Sequence, residues 1–273
     1  MPENPVVLVT GSSAGIGFET ARLLAADGTT VIAHARTEEE STHTFQRLVN
    51  TGIDPRRLRP AVADFADLRQ VADLAATLTA EHPRLDVLVN NAGTGGTSHR
   101  TITRDGHEQT LQVNYLAPYL LTRLIEEPLA RSPIGRVVNV SSTLHRGGRI
   151  NWNDLNWKRR YNRGAAYAQS KLALTMFTTA LTELRPKIRE AVSVHPGIIT
   201  TAMLPYYSYR GRPIPDGAEA VAKLARPDAK VLTGGYYEGR LPSKASAASV
   251  DPEAVGRLWR LSERLTALDK HRG

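Results

Sequence analysis

The 273-residue sequence predicts a single-domain α/β fold, a doubly wound parallel sheet of about seven strands flanked by helices. Two observations predict it. Short runs rich in β-branched residues alternate with longer stretches whose apolar residues recur at helical spacing, and that alternation yields a parallel sheet with right-handed crossovers. Each run also ends in a small or polar residue. Gly11, Arg36, Asp64, Asn90, Ser142 and Pro196 would thereby converge outside the carboxyl ends of the strands, where open α/β sheets bind their ligands.

The first element is Val6-Val7-Leu8-Val9, which breaks into Thr10-Gly11-Ser12-Ser13-Ala14-Gly15-Ile16-Gly17 and resumes as a helical pattern from Phe18. It reads as strand, tight turn, helix. Gly11 and Gly15 admit backbone conformations that a Cβ forbids, and Gly17 allows the helix to pack closely on the strand, so a dinucleotide pyrophosphate can rest on the helix N-terminus. No Lys follows the last glycine, which disfavours a nucleotide-triphosphate loop.

Thr30 to Ala35 forms the second strand and runs through Arg36-Thr37-Glu38 into a polar helix. An acid at the end of this strand would accept ribose hydroxyls, whereas Arg36 after Ala35 can pair with a 2′-phosphate, so the expected cofactor is NADP(H). Leu58 to Ala63 is a third strand closed by Asp64, and Leu68, Val71, Leu74, Ala75 and Leu78 mark a helix over Leu68 to Glu81. Leu85 to Val89 leads into Asn90-Asn91-Ala92-Gly93, whose small residues can lie flat against the adenine–ribose linkage.

A long helix is expected from about 105 to 127, carrying Asn114 and, four residues on, Pro118. Pro118 has no N–H for the Asn114 carbonyl, so the helix should kink and leave that carbonyl free to hold a water. Arg136 to Val140 is a fifth strand ending in Ser141-Ser142, and Tyr167 and Lys171 fall on one face of a later helix at i and i+4. Between them Trp152, Trp157 and Tyr161 serve either as pocket walls or as loop anchors. Ala191 to His195 is the sixth strand, stopped by Pro196-Gly197 before Ile198-Ile199-Thr200-Thr201, with His195 read as structural. Residues 201–217, rich in Tyr, Pro and Gly, are expected to form a substrate lid, and 234–268 a C-terminal extension.

Composition narrows the function. With 41% hydrophobic residues a chain of this length buries one large core, so 1–273 is read as one domain. The absence of Cys excludes disulfides, a thiol nucleophile and a thiolate metal site; catalysis must use oxygen and nitrogen groups, and no metal is expected. The net charge of +8 comes from 28 Arg and 7 Lys, scattered apart from Arg56-Arg57-Arg59 and Lys158-Arg159-Arg160-Arg163. Without a basic stripe and interleaved aromatics no nucleic-acid partner is expected, and an anionic small ligand is the better use of the charge. No apolar run spans a bilayer and Pro2-Glu3-Asn4-Pro5 lacks a signal pattern, so the expectation is a soluble, cytoplasmic protein with no membrane partner.

With these residues in place, the chain resembles the short-chain dehydrogenase/reductase family along nearly its whole length. The resemblance rests on Thr10-Gly11-x-x-x-Gly15-Ile16-Gly17, Asn90-Asn91-Ala92-Gly93, Val113-Asn114, Val140-Ser141-Ser142, Tyr167-x-x-x-Lys171 and His195-Pro196-Gly197, in family order. Asp154-Leu155 and the tail from Gly235-Tyr236-Tyr237 through Pro242-Ser243 to Leu258-Trp259-Arg260-Leu261-Ser262-Glu263 make it most similar to retinol dehydrogenase-type members. Leu174 stands where those members usually have Asn, which points away from a bilayer-borne retinoid and toward a soluble ketone or aldehyde.

The resemblance implies a Rossmann fold and a catalytic tetrad of Asn114, Ser142, Tyr167 and Lys171. It places Ser13, Ala14, Ile16 and the three turn glycines on the cofactor, together with Arg36, Thr37, Asn90, Ala92 and Gly93. Asp64 would touch the adenine, Tyr167 and Lys171 the nicotinamide ribose region, and Pro196, Gly197, Ile199 and Thr201 the nicotinamide side. Ser142 rather than Ser141 matches the family serine, because consecutive strand residues face opposite ways. A Tyr with an ordinary pKa of about 10 is too weak an acid for a developing alkoxide unless a cation such as Lys171 adjoins it. The implied activity is NADPH-dependent interconversion of a ketone or aldehyde with an alcohol by hydride transfer, with Tyr167 as proton donor. A non-catalytic NADP-binding sensor or interaction protein, and a C=C or C=N reductase on the same fold, stay open at this stage, as does self-association.

Overall fold

The computed structural model describes residues 4–185, 187–200 and 211–271. Its centre is an eight-stranded sheet in the order β3-β2-β1-β4-β5-β6-β7-β8. Seven strands are parallel: β1 (Val6–Val9), β2 (Thr30–Ala35), β3 (Leu58–Val62), β4 (Val87–Asn90), β5 (Arg136–Val140), β6 (Glu190–His195) and β7 (Tyr236–Glu238). The eighth, β8 (Leu241–Ser243), returns antiparallel to β7 and comes from the C-terminal extension. The chain order reverses between β1 and β4, so a crevice opens there at the carboxyl edge.

Alternating side chains of each strand feed two apolar layers, the arrangement that gives a parallel sheet its near-continuous apolar runs. Leu8, Ile32, Leu88, Val137 and Ala191 face α3 (Leu68–Glu81), α5 (Ala117–Leu124), α7 (Arg163–Leu184) and α9 (Pro252–Leu265). Val7, Val9, Val31, Val89, Val138 and Val192 face α1 (Gly15–Ala26), α2 (Glu38–Asn50) and α8 (Ile214–Ala225). Arg136 on β5 ties α8 down: it is 2% exposed, binds Glu190 at 2.6 Å and donates to the carbonyls of Leu224, Arg226 and Ala229 at 2.7–2.8 Å. Among the described residues no helix is long and apolar enough to cross a membrane.

The expected helix over 105–127 is not one element. Asp105 lies outside it, accepting from the N–H of Leu68 and from the Gln112 side chain, and so helps to start α3. Helical structure begins with the short α4 (Gln109–Leu111), widens into a π-turn over Gln112–Leu116, continues as α5, breaks at Ile125 and resumes as α6 (Glu126–Ala130). In the π-turn the Ala117 N–H reaches back to the Gln112 carbonyl. One residue further on, Pro118 can supply no N–H, either to Val113 in that register or to Asn114 in an α register. Where the sequence predicts a kink at Pro118, the structure has a π-turn ahead of the proline. At the other end of the chain's first unit, α1 starts at Gly15 rather than Phe18, because the glycines themselves form its first turn.

Candidate active site

The turn after β1 is held from three sides. Thr10 Oγ1 donates to the Val89 carbonyl at 3.2 Å and accepts the N–H groups of Asn91 and Ala92, each at 3.0 Å, joining the turn to the loop after β4. Asn91 Nδ2 donates to the carbonyls of Thr10 (2.8 Å) and Gly11 (3.2 Å). His34, buried in β2, closes the third side: its carbonyl takes the Ser12 N–H at 2.7 Å and its Nδ1 takes the Gly11 N–H at 3.0 Å. Nε2–H then donates to Ala63 at 2.9 Å, and burial pushes the ring pKa down to about 4, which keeps it neutral. Sequence periodicity hides His34 inside an apolar run, and Asn91 was visible only as part of a motif.

This packing leaves no room for side chains where the glycines stand. Gly11 has φ +66° and lies against Ala92, and a Cβ on Gly17 would come within 2.1 Å of the Gly11 carbonyl oxygen and 2.3 Å of Asn91 Nδ2. The start of α1, like that of α8, has no side-chain cap. α2, α3, α7 and α9 are capped by Thr37, Asp67, Asn162 and Asp251, whereas Ala14, the cap residue of α1, offers no side-chain acceptor. The first-turn amides of α1, at Gly15, Ile16 and Gly17, are thus left for an outside group such as a pyrophosphate. The Ser13 carbonyl accepts from Arg47 Nη1 at 2.8 Å, and that guanidinium stacks on Phe18 with 4.0 Å to the ring centroid.

At the end of β2, Arg36 is solvent-exposed and paired with Glu40, whose carboxylate takes its Nη2 at 2.7 Å and its backbone N–H at 3.2 Å. Thr37 caps α2. Asp64 follows β3, where Oδ1 accepts the Ala66 N–H at 2.9 Å. The Asn90 side chain is turned into the core, donating to Asn139 at 2.9 Å and Thr122 at 3.2 Å.

Asn114 and Lys171 meet at Gly93, and Tyr167 lies beside Lys171. Asn114 is fully buried in the π-turn: its Oδ1 takes the Thr94 N–H at 2.7 Å, and its Nδ2 donates to the Thr94 carbonyl (2.9 Å) and to Ser170 Oγ (3.0 Å). Ser170 in turn donates to the Tyr167 carbonyl at 2.7 Å, so one side chain joins the loop after β4 to the helix that carries the tyrosine. A Cβ on Gly93 would sit 3.2 Å from Asn114 Oδ1 and 3.6 Å from Lys171 Nζ. Lys171 is 4% exposed, donates to the Val140 carbonyl at 2.8 Å and lies 5.7 Å from the centre of the Tyr167 ring. Burial pushes its pKa down to about 8, which leaves it cationic at neutral pH.

The two serines after β5 separate as alternation requires. Ser141 Oγ points into α7, donating to the Lys171 carbonyl at 3.1 Å and meeting Thr175 at 2.8 Å. Ser142 Oγ accepts the Leu144 N–H at 3.2 Å, which uses a lone pair and leaves the hydroxyl proton to donate elsewhere.

After β6, Gly197 has φ +104° and lies against Arg212, and Ile199 packs on Gly217 of α8. Thr201 and residues 201–210 of the expected lid lie outside the described residues, and Ile214–Gly217 is the first turn of α8. Two of the three loop aromatics anchor the loop. Trp152 packs under Arg257 of α9 at 4.4 Å, and Tyr161 donates to the Thr97 carbonyl at 3.3 Å. Trp157 sits in the same loop with a left-handed backbone, φ +48°. Among the described residues no group of three or more His, Asp or Glu is placed to hold a metal ion.

Comparison with known proteins agrees with this geometry. The short chain dehydrogenase family profile matches residues 5–209, and the chain belongs to that family of nicotinamide-dependent oxidoreductases. A proposed daunorubicin C-13 ketoreductase from a Streptomyces strain is 39% identical over 94% of this chain and 90% of its own. Human retinol dehydrogenase 13 is 33% identical over 96% of this chain and 85% of its own, in line with the retinol dehydrogenase-type resemblance. A blue fluorescent protein from a metagenomic library, solved in complex with NADPH, is 30% identical, covers 86% of this chain and 97% of its own, and superposes with a TM-score of 0.66.

Proposed function

We propose that the protein is an NADP(H)-dependent oxidoreductase that interconverts a ketone or aldehyde with an alcohol, with Tyr167 as proton donor. The observation that carries the proposal is the buried Lys171 ammonium, fixed on the Val140 carbonyl one helical turn from Tyr167 and two residues before Ser142 on the β5 strand end. A solvent-facing Tyr and Lys at this spacing would be ordinary surface packing; burial of the cation has a cost that packing alone does not require.

When bound, a nicotinamide dinucleotide supplies or accepts the hydride. The first-turn amides of α1 would hold its pyrophosphate, and Lys171 its nicotinamide ribose. As the carbonyl carbon receives hydride the C=O π pair passes to the oxygen, which develops negative charge and needs donors at that atom. Ser142 Oγ–H donates one hydrogen bond, and the Tyr167 hydroxyl delivers the proton. A neighbouring cation stabilises the phenolate left behind, which is the role of Lys171. Asn114 acts on this set through Thr94 and Ser170, fixing the distance between the loop after β4 and α7.

NADP(H) rather than NAD(H) is supported by Ala35-Arg36 at the end of β2, where no carboxylate is positioned by residue 35, and by the NADPH bound in the 30% identical solved relative. A carbonyl substrate is supported by the names of the two curated relatives, a ketoreductase and a retinol dehydrogenase. Leu144 and Ile198 stay exposed, 39% and 41%, on the loops after β5 and β6, and suit an apolar substrate body. The test is NADPH oxidation against ketones, aldehydes, enones and imines. Turnover of ketones or aldehydes supports the proposal; turnover confined to enones or imines, or tight NADPH binding with no turnover of any class, overturns it.

A further inference from the structure

Ser142 does not hold its position alone. Its carbonyl accepts twice from one residue, the main-chain N–H of His145 at 3.0 Å and the His145 Nδ1 at 2.7 Å. A carbonyl can only accept, so Nδ1 carries the proton and Nε2 of this fully buried, neutral ring is an acceptor. Its donor is the backbone N–H of Ser246, 3.1 Å away and 101 residues further along the chain. The ring lies on Tyr236 of β7 with 4.6 Å between centroids. Three residues after Ser246, the Ser249 carbonyl accepts from Thr179 of α7 at 2.9 Å, so the segment is fastened to the helix that bears Tyr167.

We propose that His145 is a positioning residue for the Ser142 hydroxyl, and that the C-terminal segment, through the Ser246 N–H, braces the catalytic loop from behind. The proposal rests on the reading of Ser142 as the hydroxyl that donates to the substrate oxygen. The brace holds the Ser142 peptide by its carbonyl while Leu144 holds Oγ, so both ends of the residue are fixed and the remaining O–H direction is set. The extension thus completes the active site without contributing a reacting group.

Ser246→Pro deletes the donor of the outer link. Ser246 has φ −68°, which proline adopts, and its own hydroxyl makes no hydrogen bond, so the substitution removes the bracing N–H and puts the ring Cδ in its place against Nε2, displacing His145 as well as unpairing it. His145→Asn keeps a donor for the Ser142 carbonyl and loses the acceptor for Ser246. His145→Phe keeps the ring on Tyr236 and loses both. At saturating NADPH and substrate we expect kcat to fall by about threefold to tenfold in Ser246→Pro and His145→Asn, and by about tenfold to a hundredfold in His145→Phe, since small misplacements of a catalytic group have effects of that size. NADPH affinity should stay within twofold of the parent. Adding Ser246→Pro to His145→Asn should cost nothing further, because the two act on one bond and the shorter side chain leaves room for the proline ring. Parental kcat in folded Ser246→Pro and His145→Asn, or losses that multiply in the double variant, would overturn the brace. If His145→Phe does not fold, the two milder variants decide the question. Tyr167→Phe run alongside separates the cases: if it too keeps parental turnover, the reading of the site fails, and if it is inactive while the brace variants are parental, only the brace fails.

Discussion

Gly17→Ala is the change that the cofactor turn should tolerate least. The added Cβ meets the Gly11 carbonyl oxygen at 2.1 Å and Asn91 Nδ2 at 2.3 Å, more than 1 Å short of the 3.4 Å at which ordinary contact begins. Neither obstacle is the end of a flexible chain: one is backbone, and the other is held by hydrogen bonds to Thr10 and Gly11. Relief requires the turn and α1 to separate, which breaks those two bonds and leaves the buried Thr10 carbonyl without them. At about 1–1.5 kcal/mol for each bond and about 1–3 kcal/mol for a buried group left unsatisfied, the loss is about 3–6 kcal/mol. Alanine's better helix propensity returns about 1 kcal/mol, for a net destabilisation of about 2–5 kcal/mol. Because the displaced amides are those left for the pyrophosphate, NADPH affinity should fall at least tenfold. Denaturant unfolding gives the first quantity and NADPH fluorescence titration the second. Parental stability together with parental affinity would refute the argument that this turn is close-packed around position 17.

Three other perturbations follow from the same geometry. Arg36→Ala should weaken NADPH binding about tenfold and leave NADH binding unchanged; this is the low end of the roughly 1.5–3 kcal/mol of a charge-assisted phosphate contact, since Arg36 must first leave Glu40, and equal affinity of the parent for both cofactors would refute the assignment. Lys171→Met should abolish turnover and stabilise the fold at pH 7. A lysine whose folded pKa lies near 8 and unfolded pKa near 10.5 costs about 3 kcal/mol below pH 8, a penalty that disappears as pH rises toward 10.5, and losing the bond to Val140 returns about 1 kcal/mol of it. The stabilisation should therefore be about 2 kcal/mol and shrink between pH 8 and 10.5; a destabilised variant at pH 7 contradicts it. Pro118→Ala restores a donor after the π-turn and should lower kcat while NADPH affinity stays parental, and unchanged kcat where proton or hydride transfer limits the rate would count against a role for the proline-interrupted register beside Asn114.

Elements whose own periodicity and caps define them were legible in the sequence to the residue. Thr30–Ala35 and Arg136–Val140 are apolar runs ending in polar residues, and Leu68–Glu81 has Asp67 at its N-cap and an unbroken apolar stripe. Legibility failed where tertiary contacts decide. The π-turn depends on Asn114 bonding to Thr94 and Ser170, residues that no local pattern connects, and Ile125 ends α5 within an apolar stretch. β7 and β8 are three residues each, too short for a period to show, and join the sheet by pairing alone. Within the site, motif residues such as Gly17, Ser142 and Lys171 were identifiable by type and position. The groups that hold them were not. His34 sits at a buried strand position usually occupied by an apolar residue, and the His145 link to Ser246 spans 101 residues.

The central claim is that Tyr167 delivers the proton and that the surrounding residues exist to hold it and its cofactor. Single-turnover measurement of hydride transfer in Tyr167→Phe, with NADPH affinity and melting temperature recorded on the same preparation, tests it most directly. Removal of one hydroxyl should leave affinity within a fewfold of the parent and the fold intact, because the ring stays in place, while the rate falls by about 10²–10⁴, the range for loss of a positioned acid. A parental rate in the folded, NADPH-loaded variant would contradict the claim.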